Sequence, residues 1–85
     1  MDTTTELRIN SDIKVLVTAK ALAVHLTFVA SGQPDIGPIE LSRAEAIQVG
    51  GDIAKDGSSD RIPIAFEPGD ASAFGRWLMR FAADA

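Results

Sequence analysis

Four oxygen-bearing side chains between residues 56 and 67 have the spacing of a calcium-binding loop. At positions 1, 3, 5 and 12 of the loop template stand Asp56, Ser58, Asp60 and Glu67. The template needs glycine at its sixth position for a sharp turn, and this chain has Arg61 there. Pro63 also replaces the usual aliphatic residue, and "PGD" follows where the template has its second helix. We therefore predict a polar loop without metal ligands.

The single histidine, His25, and the serines do not form a recognisable catalytic motif. None of the serines lies in a nucleophile-elbow sequence, and neither "VGGD" nor "EPGD" matches a phosphate-binding loop. We expect no catalytic residue, no cofactor and no enzymatic activity. A small enzyme or ligand-binding domain stays a distant alternative, because carboxylates that meet only in the folded chain leave no motif.

Arg76, Trp77 and Arg80 form the strongest candidate binding site, and we call them the arginine–tryptophan edge. Arginine and tryptophan are enriched among the residues that dominate protein interfaces, and Trp77 is the only tryptophan of the chain. On a helix, Arg76 and Arg80 lie one turn apart on the outer face. We predict that this edge contacts a protein partner or a second copy of the chain. In the alternative, Trp77 closes the core and the arginines are solvated.

A rival surface consists of Asp52, Asp56 and Asp60, and we call it the acidic surface. The chain has 12 acidic and 8 basic residues, which gives a net charge of −4. Because nucleic-acid affinity rests largely on neutralised phosphates, direct nucleic-acid binding is disfavoured, and so is binding to anionic membranes. A nucleic-acid-binding regulator that uses the arginines of the last helix stays an alternative. We expect instead a protein partner that is itself basic or binds nucleic acid.

Length and composition predict one α+β domain over residues 1–85. The content of 46% hydrophobic residues is sufficient for a packed core. A chain of this size buries only about 60% of its unfolded surface, so formation of a homodimer would add useful burial. The absence of cysteine fits a reducing compartment. Since "MDTTTELRIN" lacks signal-peptide features and no apolar run could span a membrane, we expect a cytoplasmic protein.

The segment "DIKVLVTAKALAVHLTFVAS", residues 12–31, fits either one helix or two strands. The helix would be apolar on all sides, and so short a chain cannot bury it. Two strands joined by a turn at Lys20-Ala21 place four apolar pairs on one face. These pairs are Ile13 with Phe28, Val15 with Leu26, Val17 with Val24, and Ala19 with Leu22. We predict a hairpin over residues 12–30, in which a four-residue loop from Ala19 to Leu22 would preserve the register.

The hairpin puts His25 on the more polar face, opposite Leu16, as a solvated or hydrogen-bonded strand residue. "TELRIN" is either an earlier strand or the start of a long bent one, and "PIEL" is predicted as a short strand. "RIPIAFE" is predicted as a strand with Ile62, Ile64 and Phe66 facing inward. Because Pro63 cannot donate to a ladder, that strand should lie at an edge or contain a bulge.

Two helices are predicted, at about residues 43–56 and 70–84. Ser42 and Glu45 form a capping box before the first helix, and Gly57 is a suitable residue just beyond its end. The Gly50-Gly51 pair either breaks this helix or lets it pack closely onto the sheet. Asp70 is the predicted cap of the second helix, which has an apolar stripe.

The sequence thus predicts an α+β fold with a mostly antiparallel sheet of three to five strands and two helices. As function, we expect a non-enzymatic, acidic protein-binding module that inhibits or regulates a larger protein machine. In size and charge alone the chain resembles small acidic inhibitors of phages and mobile elements, such as anti-CRISPR proteins and antitoxins. That resemblance implies a protein partner, which is a nucleic-acid-binding machine in many such pairs.

Overall fold

A computed structural model describes residues 3–20 and 22–84 of the protein. The fold is α+β, as predicted, with a four-stranded antiparallel sheet and two helices. The chain divides into two compact units, Met1–Ser42 with the strands and Arg43–Ala85 with the helices. The expectation of one domain over residues 1–85 stays a prediction.

The sheet consists of β1 (Thr3–Arg8), β2 (Ile13–Lys20), β3 (Ala23–Ala30) and β4 (Ile36–Ser42), which are neighbours in chain order. "TELRIN" therefore contributes to a separate first strand. Alternate residues of the strands point to one face, which is why the apolar positions recur with a period of two. The buried side chains on that face are Val15, Val17, Val24, Leu26, Phe28 and Leu41.

The predicted hairpin is confirmed, but its predicted register is wrong by two residues. The observed pairs are Ile13 with Ala30, Val15 with Phe28, Val17 with Leu26, and Ala19 with Val24. A shift by two residues leaves every side chain on its face, because strand side chains alternate with a period of two. The apolar pattern therefore fits both registers equally well.

The turn of the hairpin lies one residue later than predicted. Lys20 pairs with Ala23 at the end of the ladder, so Lys20 belongs to β2 and not to the turn. Leu22 does not face Ala19 in the sheet; it is 79% exposed. Ala21, the other predicted turn residue, lies outside the described residues.

Helices α1 (Arg43–Asp56) and α2 (Pro68–Asp84) agree with the two predicted helices. α1 begins directly after Ser42 and ends at Gly57, whose φ is +81° and whose N–H donates to the Ile53 carbonyl at 2.9 Å. This is a common left-handed helix termination. α2 begins at Pro68 and not at about residue 70, because proline is favoured at the first helical position. Among the described residues, neither helix is long and apolar enough to cross a membrane.

The Gly50-Gly51 pair does not interrupt α1. The lack of a side chain at Gly50 allows α2 to pack closely against α1. A Cβ atom on Gly50 would lie 2.7 Å from the Gly75 carbonyl oxygen and 2.8 Å from the Met79 Cγ atom. On Gly75 it would lie 2.7 Å from the Cβ atom of Ala54. The glycines thus allow α1 to pack closely against α2, whereas the prediction from the sequence was that they either break α1 or allow it to pack onto the sheet.

The segment "RIPIAFE" is not a strand, which corrects the prediction. It forms a single bridge between Ser59 and Ile62 and is otherwise irregular. The predicted alternation survives, since Ile62 is buried while Pro63 is exposed. The Phe66 N–H donates to the Gly57 carbonyl at 3.1 Å, so the segment folds back toward the end of α1.

Candidate functional site

Four aromatic rings form a continuous row, which consists of three rings of α2 and that of Phe66 in the segment before it. The ring centroids of Phe66 and Phe74 are 5.3 Å apart, those of Phe74 and Trp77 are 6.4 Å apart, and those of Trp77 and Phe81 are 5.1 Å apart. Both contacts of Trp77 are stacked, with interplanar angles of 18° and 19°. Contacts of this kind stabilise a pair by about 0.5–1.5 kcal/mol beyond the burial of area. The row therefore holds the Trp77 indole in one orientation.

The structure brings the three residues of the arginine–tryptophan edge together on α2. Trp77 is half-buried, and Arg76 and Arg80 are exposed. Within the described part of the chain, neither guanidinium has an ion-pair or hydrogen-bond partner. The edge thus combines a fixed aromatic side chain with two available cations.

Trp77 lies at the margin of the buried residues of the helical unit. The neighbouring Phe74 is 2% exposed and belongs to the buried residues of the helical unit, so the stack continues into that core. Trp77 itself keeps part of its surface in solvent, unlike Leu78, which is fully buried. Trp77 therefore packs against the core on one side and remains available for contact on the other.

The acidic surface is only partly assembled. A shallow groove of about 230 Å³ is lined by Glu45, Gln48, Val49, Asp52, Ser59, Asp60 and Arg61. Asp52 and Asp60 meet in this groove, whereas Asp56 lies exposed at the end of α1 and does not line it. Among the described side chains, none forms an ion pair with these three aspartates.

Arg61 and Glu45 contribute to the groove, and the sequence analysis missed both roles. The Arg61 guanidinium donates to the Glu45 carboxylate across the groove. Their separation of 16 residues carries no sequence signal, because the loop after α1 must fold back before they meet. Because Arg61 and Glu45 neutralise each other, the negative charge of the groove comes from Asp52 and Asp60.

A polar row crosses the face of the sheet opposite the buried residues. The hydroxyl oxygens of Thr4 and Thr18 are 2.8 Å apart, and His25 lies opposite Thr18 in the next strand. The His25 Nε2 atom is 3.3 Å from a carboxylate oxygen of Glu40. His25 is thus a half-buried strand residue whose neighbours are Thr18 and Glu40, and the expected position opposite Leu16 is wrong. The error has the same origin as the two-residue shift of the register.

Across residues 3–20 and 22–84, no three histidine or carboxylate side chains converge in a way that could hold a metal ion. The chain matches no known protein family, no curated protein and no solved structure.

Proposed function

We propose that the protein is a non-enzymatic protein-binding module that inhibits or regulates a larger protein machine, and that it contacts its partner through the arginine–tryptophan edge. The observation that carries this proposal is that Arg76 and Arg80, beside the stacked Trp77, have no ion-pair or hydrogen-bond partner among the residues that the structure describes. The partner is a basic or nucleic-acid-binding protein, as for anti-CRISPR proteins and antitoxins. The protein acts in the cytoplasm.

The composition of the edge supports binding with a small entropic loss. Trp77 already stacks between Phe74 and Phe81, so little rotamer freedom remains to be lost on binding. A planar guanidinium can donate two parallel hydrogen bonds to a carboxylate. Truncation of such a residue at the centre of an interface commonly costs about 2 kcal/mol or more of binding free energy.

The net charge supports a partner that is basic over most of its surface. A charge of −4 attracts a cationic protein over a distance and raises the association rate, and no described side chain neutralises Asp52, Asp56 or Asp60 by an ion pair. In this scheme the acidic surface directs the approach. The two arginines then bind carboxylates at the contact and fix the orientation.

A second candidate function is direct nucleic-acid binding by a regulator that uses the same arginines. The availability of Arg76 and Arg80 favours it, since unpaired guanidiniums bind phosphates as readily as carboxylates. The net charge of −4 opposes it. If these two residues bind phosphates, their loss should reduce the slope of log affinity against log salt by about 2.

The experiment is an affinity capture from host lysate with wild-type protein and with charge-reversal variants. Arg76→Glu and Arg80→Glu each reverse one charge of the edge. Lys55→Glu is the matched control, since Lys55 is an exposed cation of α1 that is not part of the edge. Each capture is performed at low salt and at about 0.5 M salt, which screens exposed charges.

We expect one stoichiometric protein to be captured by the wild type and by Lys55→Glu, less strongly at high salt, and to be lost with Arg76→Glu and Arg80→Glu. Equal capture of that protein by all four chains would exclude the edge as the contact. Recovery of nucleic acid without a protein partner would favour the second candidate function.

A further inference from the structure

The two edges of the sheet differ in their capacity to accept another strand. On β4, Gly37 and Pro38 lie opposite the single residue Thr27, because Leu26 pairs with Ile39 and Phe28 with Ile36. This bulge interrupts the edge, and Pro38 has no N–H to donate. Bulges and prolines are common devices against edge-to-edge pairing. The β4 edge is thus protected.

The β1 edge has no such protection. Its register with β2 is continuous from Thr3 to Arg8, without proline or bulge. The N–H of Ile9 donates to the Ile13 carbonyl at 2.9 Å, which makes this a hydrogen-bonded pair. Since pair types alternate in an antiparallel ladder, the backbone groups of Thr4, Glu6 and Arg8 point away from β2. In the described part of the chain, no backbone segment outside the sheet bonds to β1.

The charges on β1 are incompletely balanced. Arg8 lies directly opposite Lys14, a like-charge arrangement that is unfavourable in a sheet. The Glu6 carboxylate is 3.1 Å from the Lys14 ammonium, whereas the Arg8 guanidinium donates to the carbonyl oxygens of Asn10 and Ser11. Among the described residues, no carboxylate pairs with Arg8, and both Glu6 and Arg8 are exposed.

We propose that β1 pairs antiparallel with β1 of a second copy of this chain, about a two-fold axis at Leu7. In this register Glu6 of each copy faces Arg8 of the other, and the outward backbone groups of these residues exchange their hydrogen bonds. Each Glu6 carboxylate then lies between Lys14 and an Arg8 guanidinium. A register centred on Glu6 would oppose two carboxylates, and one centred on Thr5 would pair Glu6 with Thr4. Charge complementarity thus selects the Leu7-centred pairing and a second copy as the occupant.

This inference does not depend on the proposed function, because the arginine–tryptophan edge belongs to α2 and the dimer uses β1. The test is sedimentation equilibrium of the full chain from micromolar to millimolar concentration. The variants are Glu6→Arg and Arg8→Glu, each alone and mixed in equal amounts. Glu40→Arg is the matched control, since Glu40 is an exposed residue of the opposite edge strand. Far-UV circular dichroism confirms that each variant folds, and Glu6→Gln replaces Glu6→Arg if that chain does not.

We expect a concentration-dependent dimer for the wild type and for Glu40→Arg. Each charge-reversal variant alone should be a monomer, because residues 6 and 8 then carry like charges across the two-fold axis. The mixture should again form a dimer, since a chain with two arginines faces a chain with two glutamates. Glu6→Gln should shift the dimer equilibrium toward the monomer. A wild type that is monomeric at every concentration, or a dimer that persists in both single variants, would overturn the proposal.

Discussion

A Cβ atom on Gly50 would lie 2.7 Å from the carbonyl oxygen of Gly75, so α1 and α2 cross with backbone against backbone. Real Cβ atoms do not approach an oxygen so closely, and the atom in the way is main chain, which cannot rotate aside. The crossing therefore depends on the absence of a side chain at both positions. It also sets the orientation of α2, which presents the arginine–tryptophan edge.

We predict that Gly50→Ala and Gly75→Ala each lower the free energy of unfolding by about 1–3 kcal/mol, because the helices must separate. Gly51→Ala is the control: its Cβ atom would lie 3.8 Å from the Met79 sulfur, an ordinary contact. That variant should be neutral or more stable by up to about 1 kcal/mol, since alanine favours the helix. Urea unfolding measures the free energy of unfolding of all three variants. Equal stability of Gly50→Ala and Gly51→Ala would contradict the close backbone contact between α1 and α2 at Gly50.

Gly57 is predicted to resist substitution for a conformational reason and not for lack of space. Its φ of +81° disfavours any residue with a Cβ atom, although the nearest atom to that Cβ would be 3.6 Å away. Gly57→Ala should cost about 1–2 kcal/mol of unfolding free energy. Gly69→Ala, in the first turn of α2 with open space around it, should cost nothing. Thermal unfolding compares the two, and a neutral Gly57→Ala would refute the assigned helix termination.

Arg43 is predicted to stabilise the end of α2. Its guanidinium donates to the carbonyl oxygens of Ala82 at 3.1 Å and Ala83 at 3.0 Å, which have no partner further along the helix. Arg43→Ala should cost about 1 kcal/mol and accelerate amide exchange in the last turn of α2. Unchanged exchange rates in that turn would show that the contact contributes nothing.

Trp77 is predicted to tolerate phenylalanine better than alanine. Trp77→Phe keeps a ring between Phe74 and Phe81, so we expect a stability loss below about 1.5 kcal/mol. Trp77→Ala removes the ring from the row, and its cost should approach about 3 kcal/mol, the lower limit for a buried aromatic side chain. Chemical unfolding followed by circular dichroism gives both values. Equal losses for the two variants would mean that stacking does not hold the indole.

The sequence predicted the sheet faces correctly but not the register. Apolar alternation distinguishes even from odd positions, and a shift by two residues leaves it unchanged. A turn motif can identify the register of a hairpin. Residues 20–22 contain neither Gly nor Asn, which are the residues that identify a primed turn, so the sequence did not distinguish the two registers. The position of His25 opposite Thr18 depends on that register, whereas its position opposite Glu40 depends on the separate pairing of β3 with β4.

The helices were predictable where capping chemistry marks their ends. Ser42 and Gly57 correctly mark the residues just before and just after α1. For α2, the capping residue Asp70 led to a predicted start two residues after the observed one at Pro68. The role of the glycines could not be predicted from the sequence, because the close approach of two helices depends on residues that are far apart in the chain. Glycine is unfavourable inside a helix, yet Gly75 of α2 lies at the crossing with α1, where a Cβ atom would not fit.

The part of the candidate site that depends on local helical spacing was predictable from the sequence. Arg76 and Arg80 lie one helical turn apart, so a local pattern brings them together beside Trp77. Phe74 and Phe81, which stack on Trp77, belong to the predicted apolar stripe of the helix, whereas Phe66 contacts Phe74 from outside the helix and was not predictable from that stripe. The groove that contains Asp52, Asp60 and Arg61 likewise depends on how the loop returns to α1.

The most direct test of the account is to map the contact of the captured partner on isotope-labelled protein by nuclear magnetic resonance. Trp77 is the only tryptophan, so its indole N–H gives a single signal that can be followed without ambiguity. We predict that this signal and the amides of Arg76 and Arg80 change most on addition of the partner. Changes confined to Asp52, Asp56 and Asp60, with the Trp77 signal unmoved, would contradict the account and assign binding to the acidic surface.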